Sequence, residues 1–222
     1  VIARRVALEP RVQKEWFAGY YGCINHVDHQ IGRLLYRLDD RPAREDYSLS
    51  RNTVVIFISD HGEMLGDHQW MKKSQGFDGA SRIPYLIRFP ESMGIDPGQV
   101  RDELVELMDV MPTLLDLAGV EIPDEVDGRS LMPLLQEQSG GWREYLHGEV
   151  SHRDKMGNGM QYLTDGKWKY IWYPKHGAEQ LFDMDSDPRE MVDLSGEERY
   201  QQELHRWRSI LIKELEGRPE GF

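Results

Sequence analysis

The chain has 222 residues, 39% of them hydrophobic and 30% charged, so it can bury a sizeable core and lies outside the composition of disordered segments. Its formal net charge of −12 repels polyanions and argues against nucleic acid as a partner. No apolar run reaches the roughly 18 residues of a membrane-spanning helix, and a single cysteine, Cys23, excludes an intrachain disulfide and a thiolate metal cluster.

The start, Val1-Ile2-Ala3-Arg4-Arg5, has neither an initiator Met nor a signal-peptide core, which leads to the expectation of an upstream segment. From Glu15 to Leu38, Phe17, Tyr20 or Tyr21, Ile24, Val27, Ile31, Leu34 or Leu35 and Leu38 recur at steps of three and four, predicting an amphipathic helix. Cys23 lies on it and is expected to be an inert thiol, buried or half-buried. His26 and His29 share the helix without an evident third ligand and are expected to be structural or solvated.

Thr53 to Ser59 is a continuous β-branched apolar run, the pattern of a strand buried on both faces of a parallel sheet. Pro84 to Phe89 reads as a second strand. A third is expected near Glu103–Leu107, running into Asp109 as a helix N-cap, a helix over Met111–Leu117 and a stop at Gly119. This order predicts an α/β fold with a three-layer core over residues 1–140. Beyond Gly140, the aromatic-rich segments Tyr145–Val150, Met160–Thr164, Trp168–Tyr173 and Gln180–Asp183 predict a small antiparallel sheet, with Asp165-Gly166 as a hairpin turn. Tyr200, Leu204, Trp207, Leu211 and Leu215 then mark a terminal helix packed on that sheet, completing a subdomain over 141–222.

The chemistry concentrates where the first strand ends, at Asp60-His61. Side chains there emerge at the carboxyl edge of the sheet, where α/β folds place ligands. A carboxylate beside an imidazole suits a divalent cation. Lys72-Lys73 follows on the same loop, and an ammonium there can neutralise the oxygens of a sulfate or phosphate group. Two alternatives stay open on these residues alone: a helix cap with a neighbouring surface histidine, and a dinuclear site of Asp60, His61, Asp67 and His68.

Ser59-Asp60-His61-Gly62-Glu63-Met64-Leu65-Gly66-Asp67-His68, followed by Lys73 and Ser81-Arg82-Ile83-Pro84, resembles the metal-and-lysine segment of the sulfatases, in the alkaline-phosphatase-like superfamily. Leu107 to Gly119 and Asp127-Gly128-Arg129-Ser130 are similar to the family's next landmarks. Asp165 to Ile171 and Gln180 to Pro188 resemble its closing antiparallel sheet. The likeness implies an alkaline-phosphatase-like core and hydrolysis of sulfate monoesters on a sulfated small molecule or sugar.

It further implies that Asp60 and His61 bind Ca2+, with Mn2+ or another divalent cation as an alternative. By the family's spacing, the sulfate contact falls on the lysine thirteen positions beyond Asp60, Lys73 rather than Lys72. His68 helps shape the pocket, and Glu149 and His152, which follow a candidate strand, either lie on the surface or reach the substrate. Family members use a formylglycine made within Cys/Ser-x-Pro-x-Arg. Cys23-Ile24-Asn25-His26-Val27 is not that motif, so the nucleophile is expected in a missing N-terminal part of the same protein. The present residues alone are therefore expected to be inactive and prone to association. Asp78-Gly79-Ala80 departs from the family pattern and puts the hydrogen bonding of its loop in doubt. Other readings are a phosphonate monoester or phosphodiester hydrolase of the same superfamily, and a non-catalytic remnant that binds an anion or another chain.

Overall fold

The structure is a computed structural model and describes residues 9–39, 49–136, 140–150 and 159–218. His152 lies outside the described residues. In chain order the elements are α1 (Pro10–Asp39), β1 (Val55–Ile58), α2 (Asp78–Ser81), β2 (Tyr85–Arg88), α3 (Val110–Leu117) and α4 (Met132–Leu135). They continue with β3 (Leu146–Val150), β4 (Met160–Thr164), β5 (Trp168–Tyr173), β6 (Ala178–Asp183) and α5 (Gln201–Leu215). The backbone separates into two compact units. The first runs to Lys73 and resumes over Gly79–Arg101; the second takes Ser74–Asp78 and everything from Asp102 onward.

In the first unit, α1 begins at Pro10, five residues before the periodic pattern, because proline suits the first helical turn and lacks only an N–H that would be unpaired there. None of its residues is buried, and Tyr20, Ile24, Val27 and Leu34 are exposed along with Cys23. The expected burial of Cys23 is thereby corrected: periodicity identifies an apolar stripe, not what covers it. No described helix is long and apolar enough to cross a membrane.

β1 and β2 pair antiparallel, with Val55 opposite Arg88 and Ile58 opposite Tyr85, where the sequence pattern suggested parallel pairing. A parallel neighbour needs a crossover, normally a helix of a dozen residues or so with its turns. The connection here, residues 59–84, is taken up by the folded loop and the four-residue α2 and holds no crossover helix of that length. Phe57 and Leu86, opposite one another, are exposed, so neither strand is covered on both faces within its unit.

In the second unit the segment 103–107 is not a strand. Its polar ends are used instead as a reciprocal cap: the Glu106 amide donates to Asp109 Oδ2 at 2.9 Å, and the Glu106 side chain accepts from the Asp109 amide. Asp109 stands at the expected N-cap position of α3 but makes no side-chain cap bond there; its carboxylate takes the Glu106 amide and Arg143 instead. The helix stops as expected, at Gly119, whose φ of +67° a residue with a Cβ adopts only under strain. Gly128 is required by a close approach: a Cβ there would lie 2.0 Å from the Met108 carbonyl oxygen.

The four-stranded sheet follows the sequence order β3-β4-β5-β6, each pair antiparallel. The β4–β5 turn is held by Asp165, whose Oδ1 accepts from the amides of Lys167 at 3.0 Å and Trp168 at 2.7 Å. Leu204, Trp207, Leu211 and Leu215 of α5 bury against Leu163, Tyr170 and Leu181 on one face of this sheet, as the helical spacing predicted.

At the margin of that core, Glu179 Oε1 accepts from the Tyr170 hydroxyl at 2.5 Å and from Arg208 Nε at 2.7 Å, and Oε2 accepts from Arg208 Nη2 at 2.5 Å. The hydrogen bonds from Arg208, then that from Tyr170, hold the Glu179 carboxyl below the usual carboxylate range in spite of its burial. A depressed pKa stabilises the fold above the unfolded carboxylate value, about 4.3, and that stability disappears as pH falls through the folded value. Glu179→Gln is accordingly expected to cost about 1–3 kcal/mol at pH 7, with the gap to wild type closing toward pH 3. Urea unfolding at the two pH values checks this; an equal gap at both would remove ionisation as the cause.

Candidate active site

β1 delivers the chain into Ser59-Asp60-His61-Gly62, and short-range bonds fix the turn that follows. Ser59 Oγ donates to the His61 carbonyl at 2.7 Å, and the His61 amide donates to Asp60 Oδ1 at 3.0 Å. The Gly62 amide donates to the Ala80 carbonyl at 2.8 Å, and a Cβ on Gly62 would lie 2.2 Å from the Gly79 oxygen. Only glycine permits that approach. The loop then folds on itself, Met64 N to Lys72 O and Gly66 N to Trp70 O, both at 2.8 Å, with Met64 and Met71 buried beneath it.

This loop is strained. Leu65, His68, Gln69, Lys72 and Ser74 all have positive φ, leaving Glu190 as the one other such non-glycine residue described. Left-handed conformations cost a non-glycine residue about 1–2 kcal/mol, and such costs gather where surrounding contacts impose a functional geometry. Here Glu63 Oε1 imposes part of it by accepting from the amides of Lys72 and, at 3.3 Å, Leu65. The sequence reading passes over Glu63, because a carboxylate that bonds backbone across a loop leaves no local spacing signal.

Three of the side chains singled out from sequence come together. His61 Nε2 meets Lys73 Nζ in a short hydrogen bond and lies 3.2 Å from Asp60 Oδ2. His61 Nδ1 sits 2.8 Å from the Gly62 carbonyl oxygen. A carbonyl only accepts, so Nδ1 carries the ring proton, and in neutral imidazole the Nε2 lone pair then points toward Lys73 and Asp60. The Lys73 ammonium donates to that lone pair. Lys72 instead enters the loop through its backbone amide. His68 occupies the Asp67–Gln69 turn of the same loop, at φ 52°.

Asp60 is open to solvent, with 79% of its side-chain surface accessible, and His61 is half-buried at 35%. The Asp60 carboxylate oxygen and the His61 Nε2 are 3.2 Å apart, and the Lys73 ammonium is the positive charge beside them in this structure. The first two are a hard oxygen donor and a nitrogen donor with the ring's second nitrogen anchored to a carbonyl, the arrangement metal-binding histidines take. The residues present thus fit a divalent cation as a partial shell. Among the described residues, no group of three or more His, Cys, Asp or Glu forms a complete one. Glu149 lies on β3 in the second unit, where its Oε2 accepts from Gln161 Nε2 at 3.2 Å.

Residues 66–216 match the family model described as N-sulphoglucosamine sulphohydrolase, C-terminal, and residues 9–120 match that described as Sulfatase. The chain is 44% identical over 206 residues to an arylsulfatase of Clostridium perfringens, an alignment that takes in 92% of the chain and 41% of that protein. Its fold superposes on a protein solved in complex with its substrate D-glucosamine-2-N,6-O-disulfate, with TM-score 0.77 and 27% identity over 89% of the chain and 40% of the other. A phosphonate monoester hydrolase of Silicibacter pomeroyi gives TM-score 0.80 and 28% identity, over 93% of the chain and 42% of the hydrolase. The chain spans less than half the length of each of these proteins.

Proposed function

Because the chain belongs to the sulfatase family, with its alkaline-phosphatase-like fold, we propose that the full-length protein hydrolyses sulfate monoesters on an aryl or sugar hydroxyl. The observation that carries this reading is the convergence of Lys73, His61 and Asp60 at the end of β1. Asp60 and His61 would hold a divalent cation, Ca2+ by family resemblance, which would neutralise charge on the ester's oxygens. The family's formylglycine is not assigned to any of these residues, since Cys23-Ile24-Asn25-His26-Val27 is not its motif.

The rest follows from the chain's own groups. The Gly62 carbonyl keeps the proton on His61 Nδ1, so Nε2 is the accepting nitrogen of the ring, the one that Lys73 meets here. The Lys73 ammonium sits beside that nitrogen, where it can donate to the sulfate oxygens as negative charge builds on them. Glu63 holds the Lys72 amide and so the chain that enters Lys73. His68, on the same loop, is assigned to the pocket wall.

The test is turnover of an aryl sulfate against a phosphonate monoester by the full-length protein, with metal content measured alongside. Sulfate-ester turnover that exceeds phosphonate turnover supports the reading. The reverse preference assigns the chain to the second reading, which the resemblance to a phosphonate monoester hydrolase favours. Asp60→Ala is expected to weaken divalent-metal binding by more than about tenfold and to lower turnover with it. Unchanged metal content would remove Asp60 from the site.

A further inference from the structure

We infer that Glu63 is a positioning residue for Lys73, and that Gly62-Glu63-Met64 is one frame shared by the Lys73 ammonium and the His61 imidazole; this rests on the role proposed above for Lys73. Glu63, Lys73 and the residues that join them all belong to the first unit. Each residue of the frame makes one bond toward the site. The Gly62 carbonyl accepts from His61 Nδ1 at 2.8 Å, the Glu63 carboxylate accepts from the Lys72 amide, and the Met64 amide donates to the Lys72 carbonyl at 2.8 Å. Lys72 is thus bonded at both its N–H and its C=O, so the peptide plane leading into Lys73 is fixed.

The frame is itself anchored on either side of Glu63. The Gly62 amide is bonded to the Ala80 carbonyl, and Met64 is fully buried, with its Sδ 3.2 Å from where a Cβ on Gly79 would lie. Glu63 therefore projects from a fixed point. What it reaches is the strained part of the loop: Oε1 accepts from the amides of Leu65 and Lys72, residues at φ 49° and 69°. Left-handed backbone at residues with a Cβ persists where the surroundings over-determine it. A carboxylate accepting amide bonds does this more strongly than a neutral acceptor. Among the described residues, Glu63 does not join Asp60 and His61 as a third metal donor, which leaves the backbone bonds as its part in the site.

Lys73 needs such a frame because a lysine ammonium rides on a flexible stem, and one fixed end does not aim it. Here both ends are fixed by the same three residues. The backbone end is set through Lys72, and the ammonium end meets His61 Nε2, on a ring whose other nitrogen is bonded to Gly62. An ammonium aimed in advance stabilises growing charge without reorganising at the moment of reaction. Without the Glu63 carboxylate, Leu65 and Lys72 are expected to relax and the ammonium to leave His61.

The experiment is a double-mutant cycle in the full-length protein with an aryl sulfate. Glu63→Leu removes the acceptor and is expected to lower kcat by about tenfold or more in the native background and by less than about twofold in the Lys73→Ala background, because coupled groups are not additive. Glu63→Gln keeps an accepting oxygen and is expected to stay within about threefold of the native kcat; bound metal is expected to be unchanged in both. A readout independent of turnover is acylation of Lys73 by an amine-reactive ester, followed by mass spectrometry. Its rate is expected to rise several-fold in Glu63→Leu and little in Glu63→Gln, with the exposed Lys14 and Lys213 unchanged. Should Glu63→Leu fail to fold, Glu63→Asp, which withdraws the carboxylate by one methylene, replaces it in both measurements. Equal kcat losses in both backgrounds, unaltered Lys73 labelling, or a Glu63→Gln loss as large as that of Glu63→Leu each overturn the frame. If Lys73→Ala by itself leaves kcat intact, the role proposed for Lys73 fails, while faster labelling still supports the frame that holds it.

Discussion

Lys73→Ala is expected to lower aryl sulfate turnover by the full-length protein about 100- to 1,000-fold, the usual loss when one preorganised donor to a developing oxyanion is removed. The bound metal is expected to stay, because Lys73 lies beside the Asp60 and His61 donors without being one of them. The loss is expected in kcat more than in KM, since an ammonium aimed at growing charge acts more strongly on the transition state than on the bound ester. Lys72→Ala is the control. Lys72 contributes a backbone amide bonded to Glu63, which substitution of the side chain preserves. If Lys72→Ala does the greater damage, the wrong lysine has been assigned to the sulfate.

Arg143→Met is expected to destabilise the second unit by about 3–5 kcal/mol, the range for breaking a buried ion pair from one side. Asp109 is fully buried, and Arg143 meets it with two bonds, Nη1 to Oδ2 at 2.5 Å and Nη2 to Oδ1 at 2.6 Å. Arg143 also lies 3.5 Å from Glu106 Oε1 and donates to the Leu104 carbonyl at 3.2 Å, while its guanidinium stacks over Trp142 at 4.9 Å from the ring centroid. Without Arg143 two neighbouring carboxylates face each other in a desolvated place. Burial already raises the Glu106 carboxyl pKa, the nearby Arg143 charge being what chiefly opposes the rise. Denaturant unfolding measures the loss, and adding Asp109→Asn to Arg143→Met is expected to recover part of it by removing the stranded charge. A loss under about 1 kcal/mol would mean that the amides of Glu106 and Arg129 satisfy Asp109 without help.

Asp78-Gly79-Ala80 illustrates how sequence and structure divide the explanation. As a departure from the family pattern it leaves the hydrogen bonding of its loop unaccounted for. Asp78 finds Lys169, which is 91 residues away and carries no spacing signal that links the two. The same holds for Arg143 and Asp109, 34 residues apart. Asp60, His61 and Lys73 are different. They share one short loop at a strand end, so residue type and spacing suffice to single them out, although the Gly62 carbonyl that sets the histidine tautomer does not show until the loop is folded.

By itself the sequence determined whatever local pattern specifies. Period-two aromatic segments and an Asp-Gly turn defined β3 to β6, the spacing of Leu204, Trp207, Leu211 and Leu215 defined α5, and Gly119 ended α3. The tertiary structure alone decided the antiparallel pairing of β1 with β2, the exposure of Cys23 and its helix face, the use of Asp109 as an anchor for Arg143, and the burial of Lys169 between two acids. The physical reason is common to all four. Periodicity and propensity report which face of an element is apolar and where it starts or stops. The partner that face or charge meets is selected by burial and desolvation over the whole fold, through residues tens of positions away.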